Sequence, residues 1–244
     1  MSAQVGLLAS ERAVLADLAR SLGDWGIDAD QEVRWGYPVE DVILDEVQSW
    51  GADLLVIGTR QGGIRPHTRL SRIDWQLMRS CSCAVLLARD PQFAGYETIL
   101  AAVDPLHRHA QPDGVDRRIL EYAALLAKAA ASKLLVAHVY PDPAFYTLAS
   151  AVEVLPGVFY GAENIERVHR TAVAELAAEY GVHGSAVLLE PGDPGERLAS
   201  IVEERGADLI VMGALKRGMD ERLLGSTVEQ IAANAQCDVL LVER

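Results

Sequence analysis

The amino-acid sequence predicts an α/β fold, in which a mainly parallel sheet is wound in both directions and covered by helices on each face. Short apolar runs of strand-forming residues alternate with longer segments whose apolar residues recur at helical spacing. The strand runs are continuously apolar, which is typical of parallel strands that are buried on both faces. A third observation is internal repetition, because the chain contains two copies of one such unit.

Four matches in the same order carry the repeat. The longest pairs Gly51–Gly58 with Gly206–Gly213, and its only changes exchange aliphatic residues. The shorter matches pair Cys83–Ala88 with Cys237–Val242, Gly36–Glu40 with Gly192–Glu196, and Trp25–Ile27 with Tyr180–Val182. The 244 residues are therefore predicted to form two domains, 1–90 and 97–244, joined by a linker at 91–96.

The second copy contains a complete alternation of elements. Its predicted strands are Thr98–Val103, Lys133–Val139, Ala186–Leu189, Ala207–Met212 and Val239–Val242. Its predicted helices are Arg117–Ala131, Glu163–Tyr180, one that follows the capping sequence Asp193–Glu196, and Ser226–Ala235. Doubly wound sheets bind ligands beyond the carboxyl ends of the strands, where the winding direction reverses. This rule indicates Asp104, Val139 and Gly213 as candidate site residues.

The first copy is incomplete, since it has no counterpart of Thr98–Val139. Its predicted elements are a helix at Ser10–Trp25, a strand at Glu32–Trp35, a helix at Val39–Trp50, strands at Asp53–Ile57 and Val85–Ala88, and at most one further short strand through Val5–Ala9. The missing strands leave this part of the sheet with an exposed side, and open sheet edges tend to be covered. Its tryptophans are expected in the core or at an interface: Trp25, Trp35, Trp50 and Trp75.

Composition excludes several classes of protein. Half of the chain is apolar, and 35 acidic against 22 basic residues give a net charge of −13. This balance argues against nucleic acids and anionic membranes as partners. No apolar run is long enough to cross a bilayer and no signal peptide is evident, which predicts a soluble, cytoplasmic protein.

The cysteines, Cys81, Cys83 and Cys237, are expected to be buried thiols, and a zinc site that combines Cys81 and Cys83 with His67 is the alternative.

A candidate phosphate-binding segment, Gly213–Thr227, joins a predicted strand to a predicted helix and ends in Gly225-Ser226-Thr227. Backbone N–H groups at a helix start, with two hydroxyls beside them, can bind the phosphates of a nucleotide. Three basic residues lie nearby: Lys216, Arg217 and Arg222. The structural alternative is that Ser226 and Glu229 form an ordinary capping box and that the glycines serve tight turns.

Together, Asp104 after a strand, the sequence Gly206–Gly213 and the Gly-Ser-Thr helix start resemble the universal stress protein family. The segment Asp74–Cys81 is similar to one in the tandem, E-type members. The resemblance implies a Rossmann-like fold of the adenine nucleotide alpha hydrolase type, with two family domains in tandem, the first truncated, and a role in stress response. It covers residues 96–244 fully and about 10–90 partially.

In the nucleotide-binding branch of the family the motif is Gly-x2-Gly-x9-Gly-Ser/Thr and the ligand is ATP, so the resemblance implies ATP, with or without Mg²⁺, as the ligand here. The resemblance implies that the phosphates face Gly213, Gly225, Ser226 and Thr227, with Asp104 beside the nucleotide and the backbone of Val139 against adenine. This chain departs from the motif because Lys216 replaces the second glycine and the following loop is one residue short, although Gly218 can restore the missing turn. Lys216 either contributes a charge to the phosphates or occupies their space.

The first copy departs further, since Ser71-Arg72-Ile73 stand in place of Gly-Ser-Thr and Asp104 has no equivalent. We therefore expect at most one nucleotide site per chain, in the second copy. No Walker lysine or nucleophile elbow is present, so any ATPase activity is expected to be slow, and His107 and His109 are expected to be solvated loop residues. The alternative function is a nucleotide-independent scaffold or small-ligand-binding stress protein with a degenerate phosphate loop.

Family members commonly dimerise through their last strands, so the resemblance implies that Val85–Ala88 and Val239–Val242 pair within this chain. The open side of the first copy also predicts a homodimer that shields it.

Overall fold

The structure, a computed structural model, describes residues 2–58, 70–89, 95–106, 114–142, 162–214 and 224–243. The chain forms two compact units, Met1–Glu46 and Val47–Arg244. The repeat places the boundary between its two copies at residues 91–96, whereas the two compact units divide between Glu46 and Val47. The domain boundary expected from the repeat stays a prediction.

A seven-stranded sheet organises the second unit. Its strands are β1 (Leu54–Gly58), β2 (Ala84–Ala88), β3 (Thr98–Ala102), β4 (Lys133–Tyr140), β5 (Val187–Pro191), β6 (Leu209–Gly213) and β7 (Asp238–Val242). They lie in the order β1-β2-β7-β6-β3-β4-β5, and every neighbouring pair is parallel except β2 and β7. The predicted α/β fold with a doubly wound, mainly parallel sheet is confirmed.

Helices alternate with these strands as the sequence periodicity predicts. They are α1 (Ser2–Asp24), α2 (Val39–Trp50), α3 (Arg72–Ser80), α4 (Val115–Ala130), α5 (Ala162–Ala178), α6 (Pro194–Arg205) and α7 (Ser226–Asn234). The predicted start of α6 is confirmed, because the Asp193 carboxylate accepts a hydrogen bond from the Glu196 amide at 3.1 Å and Pro194 is the first helical residue.

Two expectations for the first copy are wrong. Residues Val5–Ala9 belong to α1, whose helical pattern runs on toward the N-terminus, and Glu32–Trp35 form no strand. In the second copy the corresponding strand, β5, is held by backbone pairing to β4. The first copy has no counterpart of β4 in its sequence, so residues Glu32–Trp35 lack the neighbour that would make them a strand.

The core of the second unit lies between the central strands and α4. Leu209 and Val211 of β6 are fully buried in one cluster with Ile119, Leu120 and Ala123 of α4. Continuous burial of β6 and β7 explains why their sequences are apolar without alternation.

The pairing predicted between the two copies is confirmed. Strands β2 and β7 run antiparallel, with Val85 opposite Leu241, Leu86 opposite Leu240 and Leu87 opposite Val239. One sheet therefore continues from the first copy into the second.

A cluster of polar side chains stabilises the junction between β2 and β7. The buried Asp238 carboxylate accepts hydrogen bonds from the Arg89 amide at 2.7 Å and from the Tyr96 hydroxyl at 2.8 Å. The Arg89 guanidinium donates to the carbonyls of Ala232 and Ala235, at the end of α7. A positive charge at a helix C-terminus satisfies its last carbonyls and complements the helix dipole.

The cysteines are buried thiols, as predicted. The sulfur atoms of Cys81 and Cys83 lie 3.4 Å apart, and burial together with this contact raises the pKa of Cys83 to about 12. Burial also raises the pKa of Cys237 to about 12, so both thiols stay protonated at neutral pH. Within the described residues, no group of three or more His, Cys, Asp or Glu side chains is arranged to hold a metal ion.

Three of the tryptophans are exposed rather than in the core: Trp25, Trp35 and Trp50.

Among the described helices, none has the length and apolar character needed to cross a bilayer.

Candidate functional site

The predicted site lies where the winding of the sheet reverses. Strand β3 is flanked by β4 on one side and by β6 on the other, and all three are parallel. Their carboxyl ends therefore meet at one edge of the sheet. Asp104 follows β3, Val139 is near the end of β4, and Gly213 ends β6, so the structure brings these three predicted residues to the same edge.

Within the described residues, the backbone of Val139 has no partner on the side that faces β3. The β3–β4 ladder ends at Ala102 and Ala137, and the Val103 amide then donates to the Ala137 carbonyl at 3.0 Å. Backbone groups of a strand point to alternate sides, so the amide and carbonyl of Val139 point to the same side as those of Ala137. Strand β3 has ended at that level, and the described residues supply no backbone partner there. Val139 can thus bond a flat heterocycle as a further strand would.

Asp104 is positioned through its backbone and remains accessible. Its amide donates to the Asp116 carboxylate at 2.9 Å, near the start of α4. Its side chain is 38% exposed, and one carboxylate oxygen lies 3.8 Å from Nδ1 of His138. A half-exposed carboxylate at the reversal point is a suitable acceptor for ligand hydroxyl or amino groups.

The buried side chain of His138 contacts the turn that follows β3. Nδ1 of His138 donates to the Val103 carbonyl at 3.0 Å, since a carbonyl can only accept. Nε2 of His138 lies 2.7 Å from Nδ1 of His169 on α5, and the His169 ring stacks on the rings of His138 and Tyr140. Burial lowers the pKa of both histidines, and each is therefore neutral at pH 7.

The start of α7 carries no side-chain cap. Gly225 is the capping residue, Ser226 and Thr227 are the first helical residues, and among the described residues no side chain caps the amides of the first turn. The expected alternative, a capping box of Ser226 and Glu229, is wrong, because Ser226 lies one position inside the helix. Glu229 instead accepts a hydrogen bond from Arg79 at 3.1 Å. The amides and the partial positive charge of a helix start favour an anion there.

The corresponding helix of the first copy, α3, is closed to an anion. Ser71 caps it, its hydroxyl accepts from the Asp74 amide at 3.2 Å, and the Asp74 carboxylate accepts from the Ser71 amide at 2.6 Å. The Asp74 carboxylate thus bonds the backbone at this helix start, and the expectation that the first copy binds no nucleotide stays a prediction.

Gly213 has a packing role. A Cβ atom at this position would lie 2.8 Å from Cγ1 of Val115 and 3.4 Å from Cδ1 of Ile119, both on α4. The glycine therefore lets α4 pack closely against the end of β6, whether or not a ligand is bound.

Other predicted residues lie outside the described residues: Lys216, Arg217, Gly218, Arg222, His67, His107 and His109. Conversely, sequence reasoning missed His138, His169 and Asp116. The available signal is the position of His138 inside a predicted strand whose neighbouring residues are apolar.

Comparison with known proteins gives a consistent result. The sequence profile described as the universal stress protein family matches residues 2–89 and 95–243. The chain is similar to universal stress protein E of Escherichia coli K12, with 24% identity over 245 aligned positions that cover 98% of this chain and 75% of the relative.

Solved structures show the same fold. A protein from Pseudomonas aeruginosa PAO1 is similar with a TM-score of 0.74 at 24% identity, covering 95% of this chain and 77% of its own. A universal stress protein from Archaeoglobus fulgidus is similar with a TM-score of 0.64 at 20% identity, covering 96% of this chain and 77% of its own.

Proposed function

The chain belongs to the universal stress protein family, and from this premise we propose that it binds one adenine nucleotide, ATP, at the carboxyl ends of β3, β4 and β6. The observation that carries the proposal is the start of α7, where no side chain of the described residues caps the helix, together with the accessible Asp104 carboxylate and the Val139 backbone at the carboxyl ends of β3 and β4. The nucleotide then acts as the signal to which this stress protein responds.

The phosphates bind at the start of α7 in this proposal. The first-turn amides and the hydroxyls of Ser226 and Thr227 are the donors, and Gly225 leaves room for close approach. The described residues place no carboxylate in this first turn ahead of Glu229, which is engaged by Arg79. Lys216 and Gly218 precede α7 in the sequence and lie outside the described residues, and we assign them to the phosphates as part of the same proposal. Mg²⁺ would be bound mainly by the phosphates themselves rather than by a dedicated set of protein ligands.

The nucleoside lies along the other two strands. Adenine carries an amino-group donor next to a ring-nitrogen acceptor along one edge, and this pair matches the carbonyl and amide of Val139. Asp104 accepts from the ribose hydroxyls, and the bond from its amide to Asp116 holds the turn after β3 in place. His138 holds the same turn from within the sheet, through the Val103 carbonyl.

A charge-reversal experiment tests the phosphate end. Ser226→Glu places a carboxylate in the first turn of α7, and we expect the affinity for fluorescently labelled ATP to fall at least about tenfold in an anisotropy titration. Ser82→Glu is the matched control, because Ser82 is exposed and precedes β2 in the first copy. Equal affinities for the two variants would contradict the proposal.

The alternative function, a scaffold that binds no nucleotide, makes a different prediction. Freshly purified protein would then show the ultraviolet spectrum of protein alone, and labelled ATP would not bind to the parent chain. Retention of nucleotide that is lost in Gly225→Val supports the site proposed here.

We also propose that the protein is cytoplasmic and forms a homodimer. Light scattering at micromolar concentration tests the assembly, and a monomeric mass would contradict it.

A further inference from the structure

An ion pair joins a helix of the first copy to the helix start that is proposed to bind phosphates. Near the end of α3, Nη2 of Arg79 donates a hydrogen bond to Oε1 of Glu229 at 3.1 Å, and the two side chains are 33% and 42% exposed. Glu229 belongs to the first turn of α7. Both helices lie in the second compact unit. The copy that is expected to bind no nucleotide therefore contacts the phosphate end of the site proposed in the other copy.

Glu229 is unfavourable for an anion bound at this helix start. At 1.5 Å per residue, its backbone lies only about 4.5 Å along the helix axis from Ser226. A carboxylate this close competes with phosphates for the positive end of the helix and repels them. In α3 the first-turn carboxylate of Asp74 turns back and accepts a hydrogen bond from the Ser71 amide at 2.6 Å. Glu229, one position further along its own helix, is bound by Arg79 instead.

Arg79 is held in place beside Glu229. Its guanidinium carbon lies 5.7 Å from the centroid of the Trp75 ring, one turn earlier on α3, which is within the range of a cation–π contact. The planar guanidinium is also suited to pair with a carboxylate while it stacks on an aromatic ring. The indole of Trp75 therefore keeps the positive charge of Arg79 where Glu229 can use it.

The repeat shows that this contact is not returned. Helices α3 and α7 have nine residues each and align without a gap, so Arg79 corresponds to Ala233 and Glu229 corresponds to Trp75. Ala233 is exposed and uncharged, and it offers no cation to α3. The first copy thus supplies an arginine to the second, whereas the second copy has no arginine at the equivalent position.

We propose that Arg79 is a positioning residue of the nucleotide site, supplied by the first copy: it binds and neutralises the Glu229 carboxylate, so that the phosphates can bind at the start of α7. This inference rests on the nucleotide site proposed above. An ion pair as exposed as this one adds little to stability, so its main effect is on the charge that a bound anion meets. The first copy then contributes to ligand binding although it is expected to have no site of its own.

Calorimetric titrations of the full chain with Mg-ATP and with adenosine test this role. Arg79→Met keeps an apolar stem beside Trp75 but removes the charge, and we expect it to weaken ATP binding about fivefold, the effect of one charge at a helix start. Adenosine has no phosphate and is expected to bind as it does to the parent chain. Adding Glu229→Gln to Arg79→Met removes the unpaired carboxylate and is expected to restore the ATP affinity, whereas it would not repair the loss of a merely structural contact.

Arg205→Met is the matched control, because it makes the same change of charge at an exposed position in the last turn of α6, shortly before β6 begins at the opposite edge of the sheet. It is expected to bind ATP as the parent chain does. Unchanged ATP affinity in Arg79→Met, equal losses for ATP and adenosine, or no recovery with Glu229→Gln would overturn the role of Arg79 and leave the nucleotide site standing.

Inorganic tripolyphosphate separates this inference from the proposed function. If the parent chain binds tripolyphosphate in a manner that depends on Arg79 but does not bind ATP, the role of Arg79 is supported and the nucleotide is contradicted. A parent chain that binds neither tripolyphosphate nor ATP would overturn both.

Discussion

Replacing Gly213, or its repeat counterpart Gly58, with alanine tests whether each copy needs a glycine at the end of this strand for packing. In Gly213→Ala the new methyl group lies 2.8 Å from Cγ1 of Val115, closer than carbon atoms approach in a packed core. Val115 is short and branched and cannot swing away, so α4 must shift. Overpacking of this kind costs about 1–3 kcal/mol. The smaller entropy of the unfolded alanine chain returns about 0.4–1 kcal/mol, which leaves a net loss of about 1.3 kcal/mol at the middle of the two ranges and at most about 2.6 kcal/mol.

Gly58→Ala is the matched control, because its added methyl group meets no described atom within 4 Å. Only the unfolded-state effect remains, so this variant is expected to be unchanged or more stable by up to about 1 kcal/mol. For a chain of this size 1 kcal/mol shifts Tm by about 2–4 °C, and with the middle value Gly213→Ala should melt about 3–5 °C below the parent chain in circular dichroism without nucleotide. Equal Tm changes in the two variants would refute the packing role of Gly213.

Three further predictions use urea unfolding. Asp208→Ala should lose about 1.5–3 kcal/mol because two strand-start amides lose a charged acceptor, whereas Asp53→Ala should change stability by less than about 0.5 kcal/mol; similar losses would show that the two carboxylates are equivalent. Burial lowers the pKa of His138, so stability should be full above pH 6.5 and fall at lower pH as the unfolded chain takes up the proton; His138→Asn should make this dependence shallower, and an unchanged slope would contradict it. Tyr96→Phe should cost about 1 kcal/mol, since Asp238 loses a hydroxyl donor, and full stability would contradict this account of the junction.

Most strands were predictable because burial on both faces leaves a direct signature in the sequence. Continuous apolar runs at Lys133–Val139 and Ala207–Met212 correspond to β4 and β6 within two residues. The exception, Glu32–Trp35, shows the limit of local pattern. A strand also needs a neighbour for its backbone, and a segment's own residues do not state whether that neighbour is present.

The candidate site was predictable in outline but not in its details. The reversal rule and the repeat placed Asp104, Val139 and Gly213 at one edge. Whether Ser226 caps α7 depended on a boundary shift of one residue, which propensity does not resolve. The contact between His138 and His169 joins a strand to a helix 31 residues later, and only the folded chain brings the two together.

The most direct test of the proposed nucleotide site is a calorimetric titration of the full chain with Mg-ATP. We predict one molecule bound per chain, with binding lost in Asp104→Ala while the melting profile of that variant remains cooperative. No heat of binding with the parent chain, or a stoichiometry near two per chain, would contradict a single site in the second copy.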